Sequence, residues 1–428
     1  MSAKDKKKGS LVPRLRFPEF NGEWRSQPLG ELAFIIKEKA GDRKCILMSI
    51  MSGVGLIPQI DKFGKEIAGQ QYKNYIILHK NDFAYNKSST KEYPEGFIAM
   101  YIGTEIAAVP NSIFTCFKIK VADIAHLYLN YLFLYNFHGK YLRRYITIGA
   151  RSHGALAIDD ADLLSLPIPY PTGNTSFKEQ QRIADCLSSL DERIAAETNK
   201  LDALKAHKKG LLKQLFPAEG ETLPALRFPE FRSAGEWEER TLSQLGELVS
   251  GLTYSPDDVR DNGLLVLRSS NVQNGMIVLD DNVYVRHEIG SANPSEPNDI
   301  LICVRNGSKS LIGKNALIPE GMPPCTHGAF MMVFRSRSAK FVIQLFQTET
   351  YESQVSAGLG ATINSINGNQ LKKYKFFVPK PAEQQKIADC LSSLDELIAA
   401  QRQKLSLLKT HKKGLMQQLF PVFDEAKA

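Results

Sequence analysis

The sequence lacks the features that mark membrane, secreted and metal-binding proteins. It contains no apolar run of about eighteen residues, so we expect no membrane-spanning helix. The basic stretch 1–10 lacks the apolar core of a secretory signal. The six cysteines include no C-x-x-C pair, which argues against a disulfide framework or a zinc site. Reduced thiols and a cytoplasmic location are the expectation.

Catalytic and cofactor motifs are also absent from the sequence. No G-x-G-x-x-G follows a predicted strand, and no NPPY-like or DPPY-like tetrad is present to grip a flipped adenine. No histidines cluster at the spacing of metal ligands. The sequence therefore predicts no catalytic, cofactor-binding or metal-binding residue in this chain.

The composition is that of a globular protein with an excess of positive charge. The chain has 428 residues, of which 43% are apolar and 23% charged, enough for two domains that each bury a core. The net charge of +8 and the pI near 9.0 permit nucleic-acid binding, although many basic proteins bind none.

An internal repeat dominates the sequence. The stretch 179–217 reads EQQRIADCLSSLDERIAAETNKLDALKAHKKGLLKQLFP, and the stretch 383–421 reads EQQKIADCLSSLDELIAAQRQKLSLLKTHKKGLMQQLFP. LRFPEF, at 15–20 and again at 226–231, opens the blocks that these stretches close. The intervening residues 33–165 and 249–375 share only a loose pattern. The chain is therefore a tandem duplication whose ends are alike and whose middles have diverged.

The two repeated stretches are predicted to be long helices. Prolines bracket each of them without interrupting it, and apolar residues recur every three or four positions, as in a coiled-coil seam. Each helix would be roughly 55 Å long. The matching seams suggest that the two helices pair with each other, and a pseudo-two-fold relation between the units would make the pair antiparallel. The predicted seam consists of Ile183, Leu187, Leu190, Ile194, Leu201, Leu204, Leu211 and Leu215, and of Ile387, Leu391, Leu394, Ile398, Leu405, Leu408, Leu415 and Leu419.

Polar residues and glycines interrupt both helices at matching places. Glu197 with Gln401, and Lys208 with Lys412, fall on the seam, where they either fix its register or extend their ends to solvent. The duplicated Gly210 and Gly414 indicate either a close backbone approach or a remnant of the ancestral repeat.

The diverged middles are typical of mixed α and β structure. Short β-rich runs at 113–120, 299–305 and 329–335 are separated by Gly, Asn and Pro turns. Helix-like aromatic segments follow at 124–145 and 339–355. The missing βαβ alternation argues against a doubly wound parallel sheet.

The duplicated motifs together resemble the DNA-specificity subunit of type I restriction–modification enzymes. The resemblance rests on LRFPEF…EW…LGEL opening each block and on P-x-P…EQQ[RK]IADCLSSLDE…HKKGL[LM]xQLFP closing it. GARSHGALAIDDADLLSLPIPYP at 149–171 and GATINSINGNQLKKYKFFVPKP at 360–381 belong to the same set. As an ordered, duplicated set covering nearly the whole chain, these strings are specific.

The resemblance implies an α+β fold with pseudo-two-fold symmetry. Two mixed α/β target-recognition domains, each for one half of a split DNA sequence, would be separated by two long helices in an antiparallel coiled coil. We predict a basic tail at 1–16, target-recognition domain 1 at 17–170, helix 1 at 171–217, target-recognition domain 2 at 218–381, helix 2 at 382–421 and a C-terminal tail at 422–428.

The same resemblance implies a non-catalytic chain with several partners. These are double-stranded DNA, two methyltransferase subunits and restriction (translocase) subunits. S-adenosylmethionine, ATP and magnesium are expected on the partner subunits. A rigid pair of helices would set the separation of the two half-sites near one turn of DNA, ~34 Å, or a multiple of it.

Candidate DNA contacts lie in polar loops of both middles, because base recognition uses Arg, Lys, Asn and Gln on loops or helix ends. Each cluster is equally compatible with a turn whose side chains are merely solvated. The candidates are Lys87, Ser89, Lys91, Arg151 and His153 in the first repeat and Arg268, Asn271, Arg305, Asn306 and Lys309 in the second.

Two other classes of protein remain compatible with the residues alone. One is a stand-alone DNA-modifying enzyme with an unusual site, which would transfer methyl groups without a partner. The other is a coiled-coil scaffold with protein-binding domains, which would show no preference for a split DNA site.

Overall fold

The chain forms two compact units, and the boundary between them falls inside both long helices. A computed structural model describes residues 11–51, 53–148, 156–290, 292–359 and 364–421. Unit 1 comprises Met1–Glu197 and Lys404–Ala428, and unit 2 comprises Thr198–Gln403. Each unit therefore contains one diverged middle with half of each helix, whereas the predicted boundaries separate the helices from the domains.

Short strands and helices make up the first repeat. Its strands are β1 (Trp24–Pro28), β2 (Ala33–Ile35), β3 (Ile46–Met51), β4 (Gly55–Pro58), β5 (Ile76–Leu78), β6 (Phe83–Asn86), β7 (Phe97–Met100), β8 (Ala107–Val109), β9 (Phe114–Ile119), β10 (Thr147–Ile148), β11 (Leu156–Ala157) and β12 (Pro167–Pro171). Its helices are α1 (Leu29–Leu32), α2 (Gln59–Phe63), α3 (His126–Leu134), α4 (Phe137–Leu142), α5 (Asp160–Leu164) and the long α6 (Ser176–Leu215).

The second repeat has a similar order of elements. Its strands are β13 (Glu238–Thr241), β14 (Glu247–Ser250), β15 (Val259–Arg260), β16 (Leu264–Leu267), β17 (Val272–Gln273), β18 (Met276–Ile277), β19 (Val283–Val285), β20 (Ile300–Cys303), β21 (Asn315–Leu317), β22 (Cys325–His327), β23 (Met331–Arg335) and β24 (Lys375–Val378). Its helices are α7 (Leu242–Leu245), α8 (Ala339–Leu345), α9 (Glu349–Gly358), α10 (Gly368–Lys372) and the long α11 (Pro381–Leu419).

Each unit contains two four-stranded sheets, and the first sheets of the two units share one arrangement. In unit 1 the strand orders are β2-β9-β6-β7 and β4-β3-β8-β5, and in unit 2 they are β14-β23-β20-β21 and β15-β19-β16-β22. The first sheet of each unit is antiparallel, and the second contains one parallel pair, β3 with β8 or β16 with β22. The predicted strands at 113–120, 299–305 and 329–335 and the mixed α+β class are confirmed.

Each predicted aromatic helical segment is two short helices. In unit 1 the break follows α3, where Asn136 adopts a left-handed φ of 60°. In unit 2 it precedes α9, where the Thr348 hydroxyl accepts the N–H of Tyr351. Asparagine tolerates the left-handed conformation and threonine is a good N-cap, so both breaks have a local cause.

A buried ion pair ties the opening motif of each repeat to its long helix. In unit 1, Nε and Nη2 of Arg16 each donate to the Glu179 carboxylate at 2.7 Å, and the Trp24 indole N–H lies 3.3 Å from the same group. In unit 2, Arg227 holds Glu383 in the same bidentate way, and this hydrogen bond raises the pKa of Arg227. The shared LRFPEF and EQQ strings are thus the two sides of one contact.

The opening and closing strands of each repeat are also paired. β1 runs antiparallel to β12, with Trp24 opposite Pro171, and β13 runs antiparallel to β24. Parts of the sequence that lie far apart along the chain are therefore neighbours in space, which accounts for their retention as a set.

Halves of the two helices run antiparallel inside each unit. In unit 1, Asp191 of α6 accepts from Lys412 of α11 at 2.6 Å, and six residues further along α6 Glu197 pairs with Lys404. In unit 2, Lys208 of α6 donates to Asp395 of α11 at 2.6 Å. Because α11 numbers fall as α6 numbers rise, the two segments run in opposite directions.

The polar seam positions are turned inward. Lys208 is 5% exposed and Gln401 is 6% exposed, and the Glu197 and Lys412 side chains are 14% and 17% exposed. Burial lowers the pKa of Lys208, and the nearby Asp395 partly opposes this shift. These side chains form ion pairs or are buried, and they do not extend to solvent.

All apolar seam residues are buried or half-buried. The buried ones are Ile183, Leu187, Leu201, Leu215, Ile387, Leu391, Ile398, Leu405 and Leu419. The half-buried ones are Leu190, Ile194, Leu204, Leu211, Leu394, Leu408 and Leu415. Leu212 and Met416 are buried as well, although the seam pattern omits them, because they pack into the cores of the globular parts.

The helix ends complete these cores. In unit 1, Leu419 and Phe420 join the cluster around Tyr128, whose ring centroid lies 5.5 Å from that of Phe420. In unit 2, the corresponding Phe216 packs against Trp237 and Phe341. Each core therefore includes residues from both long helices.

The duplicated helix glycines have open surroundings. A Cβ added at Gly210 or Gly414 would meet no atom within 4 Å among the described residues. The structure thus gives no close approach inside the chain that requires glycine at either position. Among the described helices, none combines the length and apolar character needed to cross a membrane.

Replacing Glu179 by alanine should lower the free energy of unfolding by about 3 kcal/mol, because Arg16 would keep its charge in a mostly buried site without its partner. Urea unfolding of the purified chain measures this change. The matched control is Glu19→Ala, which removes an exposed pair with Arg182 and should cost less than about 1 kcal/mol. Equal losses of unfolding free energy in the two variants would contradict the assignment of Arg16 and Glu179 as a buried ion pair.

Candidate nucleic-acid interface

Three of the five predicted contacts of the first repeat lie on one loop of unit 1. Lys87, Ser89 and Lys91 follow β6, the strand that lies between β9 and β7 in its sheet. Lys91 is exposed, and Lys87 and Ser89 are half-buried. The Asn86 amide oxygen accepts the N–H of Ser88 at 3.0 Å and starts a side-chain-stabilised turn. The loop thus presents two cations and a hydroxyl from a fixed starting point.

A buried polar cluster anchors the far end of this loop. The Tyr85 hydroxyl donates to the Glu95 carbonyl at 2.8 Å, and Arg143 Nε donates to the Glu95 carboxylate at 2.7 Å. Nε2 of the fully buried His138 lies 3.3 Å from the Gly96 carbonyl, so it must be the donor. Its Nδ1 has no hydrogen-bond partner among the described residues. Burial lowers the pKa of His138 to about 4.

The other two candidates in the first repeat, Arg151 and His153, lie outside the described residues. Leu156, the first described residue after them, donates its N–H to the Lys87 carbonyl at 2.7 Å.

In unit 2 the structure corrects the prediction for Asn271. Asn271 is fully buried, its amide oxygen accepts the N–H of Arg268 at 2.9 Å, and its amide nitrogen donates to the Val278 carbonyl at 3.0 Å. Since its polar atoms stabilise a turn and have no access to solvent, Asn271 is a structural residue. Arg268 is about one third exposed, and its Nη2 donates to Asp281 at 2.9 Å.

A second loop of unit 2 carries the remaining candidates. Arg305 and Lys309 are exposed, and the Arg305 guanidinium lies 5.6 Å from the centroid of the Phe330 ring. Asn306 is half-buried, its amide nitrogen donates to the Ser269 hydroxyl at 3.0 Å, and its amide oxygen accepts from Ser308 at 3.0 Å. Asn306 therefore joins the 305–309 loop to the 268–271 loop, and its amide groups are already used.

The two units share a backbone frame that the sequence comparison missed. Asn81-Asp82 and Asn298-Asp299 form the same turn, in which the asparagine φ is 73° or 67°, and each turn leads into β6 or β20. Asn86, the last residue of β6, and Asn306, three residues after the end of β20, each accept the N–H of a serine two residues later. The sequence signal is Asn-Asp, a mainly apolar run and then Asn-x-Ser. The run has three residues in the first repeat and six in the second, so the two strings do not align at a single offset.

The exposed side chains on this frame differ between the units. In the loop of unit 1 the exposed cation is Lys91, with the half-buried Lys87 nearby, and in unit 2 the exposed cations are Arg305 and Lys309. Exposed Lys and Arg can donate to phosphate oxygens and to guanine edges. No group of acidic, histidine or cysteine side chains with the arrangement of a metal site occurs among the residues that the structure describes.

Comparison with known proteins identifies the family. The family model Methylase_S, described as the type I restriction modification DNA specificity domain, matches residues 21–206 and 234–410. The chain belongs to this family. The two matches coincide with the two repeats, so the duplicated architecture is a tandem pair of specificity domains.

Curated relatives in this family are type I restriction enzyme specificity subunits. The EcoKI subunit of Escherichia coli (strain K12) is 30% identical over 168 residues, and the StySPI subunit of Salmonella potsdam is 29% identical over 168 residues. Each alignment covers 37% of this chain and 36% of the relative, about a third of its length. The MjaVIII subunit of Methanocaldococcus jannaschii is 24% identical over 298 residues, which are 67% of this chain and 69% of that protein.

Solved structures show the same fold over almost the whole chain. The S subunit of a type I restriction–modification system from M. genitalium has a TM-score of 0.58 at 15% identity and covers 96% of this chain and 100% of its own. A chain from a structure of type I R-M complex assembly has a TM-score of 0.54 at 18% identity and covers 96% and 99%. At these sequence identities, the structural similarity is evidence for the fold alone.

Stability should fall as the pH is lowered from about 6.5 towards 4, because the unfolded chain binds a proton at His138 that the folded chain excludes. A histidine with a lowered pKa contributes stability that is fully present above its unfolded pKa. We expect it to account for a loss of about 2–3 kcal/mol between pH 7.5 and pH 4.5. Urea unfolding of the native chain and of His138→Gln at both pH values isolates the contribution of His138.

The matched control for this experiment is His207→Gln on the exposed face of α6. The control should retain the full loss of stability at low pH, whereas His138→Gln should show a smaller one. An identical pH dependence in the native chain and in His138→Gln would contradict the buried neutral state.

Proposed function

We propose that the chain is a non-catalytic DNA sequence-recognition subunit for a split, asymmetric target. The observation that carries this proposal is the shared frame with unlike side chains: each unit presents an exposed polar loop after the same central strand. Lys87 and Lys91 belong to one half-site in this proposal, and Arg305 and Lys309 to the other. A shared frame with different donors suits two half-sites that differ in sequence.

The partners follow from the family and remain part of the proposal. We infer that the chain binds double-stranded DNA and joins two methyltransferase subunits and restriction subunits in the cytoplasm. S-adenosylmethionine, ATP and magnesium then belong to those subunits. The duplicated helix halves support two equivalent docking surfaces, because the same residues recur in both units.

Selection from random duplexes tests the function directly. The chain assembled with its methyltransferase partner should enrich two short half-sites separated by a fixed spacer. Arg305→Ala should lower the preference for the selected bases in the second half-site alone. Lys87→Ala combined with Lys91→Ala should lower it in the first half-site alone. Each loss should be about 10-fold or more if a base contact is removed. Lys65→Ala and Arg337→Ala remove exposed cations elsewhere in each unit and serve as controls.

Enrichment of no split site would contradict the proposed function and favour a scaffold. Methyl transfer to DNA by the purified chain without a partner would contradict its non-catalytic character.

Inserting seven residues into both helices at the unit boundary should lengthen the spacer and leave both half-sites unchanged. Insertion after Glu197 and after Gln403 falls between the paired helix halves, so it preserves the Asp191–Lys412 and Asp395–Lys208 contacts. A heptad also keeps the seam in phase. The selection experiment measures the spacer, and an unchanged spacer would exclude the helices as its determinant.

A further inference from the structure

An exposed aromatic residue lies beside the candidate loop of unit 2. Phe330 is 56% exposed and directly precedes β23. Its carbonyl accepts the N–H groups of Val304 and Arg305 at 3.0 and 3.1 Å, so its position relative to the loop is fixed by the backbone. The neighbouring turn is fixed as well, since Met331 donates to the Gly328 carbonyl at 2.8 Å.

Unit 1 has an exposed apolar residue at the same place. Ile113 is 38% exposed and directly precedes β9, and its carbonyl accepts the N–H of Lys87 at 2.8 Å. Strand register makes the two positions equivalent, because Asn86 lies opposite Phe114 and Cys303 lies opposite Met331. The same frame therefore holds an apolar side chain next to a cationic loop in both units.

Contacts among the described residues give no reason for an exposed apolar side chain at this position. Isolated exposed apolar residues are common, but here two of them recur at one structural position beside the first residues of the candidate loops. The Arg305 guanidinium lies 5.6 Å from the Phe330 ring centroid, so the ring and the cation form one surface. A ligand for this surface needs an apolar group next to hydrogen-bond acceptors.

The major groove of DNA offers that combination. Thymine carries a 5-methyl group there, and guanine presents the two acceptors O6 and N7 to arginine or lysine. Deepening the proposed function, on which this inference rests, we propose that Ile113 and Phe330 contact the 5-methyl group of a thymine in their respective half-sites. The adjacent Lys87 and Arg305 donate to a neighbouring base or phosphate.

Because the two side chains differ in size, each would contribute differently to the recognition of its own half-site. Phenylalanine has a flat ring that can cover a methyl group and stack with a cation, whereas isoleucine is smaller and branched at Cβ. The two residues are therefore specificity-determining positions, placed by the same backbone and distinguished by their side chains.

The test combines a change in the protein with removal of the methyl group from DNA. The site found by duplex selection is synthesised with each thymine in turn replaced by uracil, and its affinity for the assembled complex is measured. We expect one uracil in the second half-site to weaken binding of the native complex by about fourfold, the effect of one buried methyl group. Phe330→Ala should bind thymine and uracil duplexes equally.

Matched variants separate this contact from other effects. Phe330→Leu removes the ring over Arg305 but keeps an apolar side chain, so it should retain sensitivity to uracil. Val259→Ala, at another exposed apolar residue of unit 2, should leave the uracil effect unchanged. Ile113→Ala, with Ile60→Ala as its control, repeats the test in the first half-site. Thermal unfolding of each variant verifies that it is folded.

The outcomes distinguish this inference from the proposed function. Failure to select any split site would overturn both. A split site whose half-sites contain no thymine, or a uracil effect that persists in Phe330→Ala and Ile113→Ala, would overturn the methyl contact and leave the recognition function intact. Loss of the uracil effect in each alanine variant, for its own half-site only, supports the inference.

Discussion

Each unit completes its hydrophobic core with the end of a helix from the other repeat. Leu419 and Phe420 pack in unit 1, and Leu215 and Phe216 pack in unit 2. This packing requires the helix halves to run antiparallel at one register, which the Asp–Lys pairs specify. A shift of one helical turn would leave a partly buried lysine without its carboxylate, and an unpaired buried charge is costly. The constant sequence of both helices follows from this double constraint.

The opening strings of the two repeats are alike for a related reason, because they contact the long helices. Arg16 and Arg227 reach a glutamate in the first turns of the long helices, and β1 and β13 pair with the strands that lead into those helices. A change at either side of such a buried pair leaves a charge without compensation. The diverged residues between them are attached to the frame, and their loops carry no comparable penalty for change.

Helices, repeats and fold class could be predicted from the sequence because their signals are local or duplicated. Heptad spacing marks α6 and α11, and the repeated strings mark the ends of each unit. The cores at the helix ends could not be predicted, because Leu212 and Met416 fall outside the heptad pattern. The burial of Asn271 could not be predicted either, because it depends on contacts with residues 278 and 281 that no local sequence pattern indicates.

The common frame explains how one fold can recognise unlike sequences. An asparagine in a left-handed turn precedes the central strand. An asparagine–serine turn follows, at the end of the strand in unit 1 and three residues later in unit 2, so the backbone of the loop is fixed by side chains that do not reach solvent freely. Positions next to these turns, such as Lys87, Ile113, Arg305 and Phe330, contribute little to the core. Their side chains can change without loss of packing, because exposed substitutions away from a fixed turn usually alter stability by less than about 0.5 kcal/mol. The physical separation of frame from surface therefore permits half-site recognition to diverge while the paired helices stay the same.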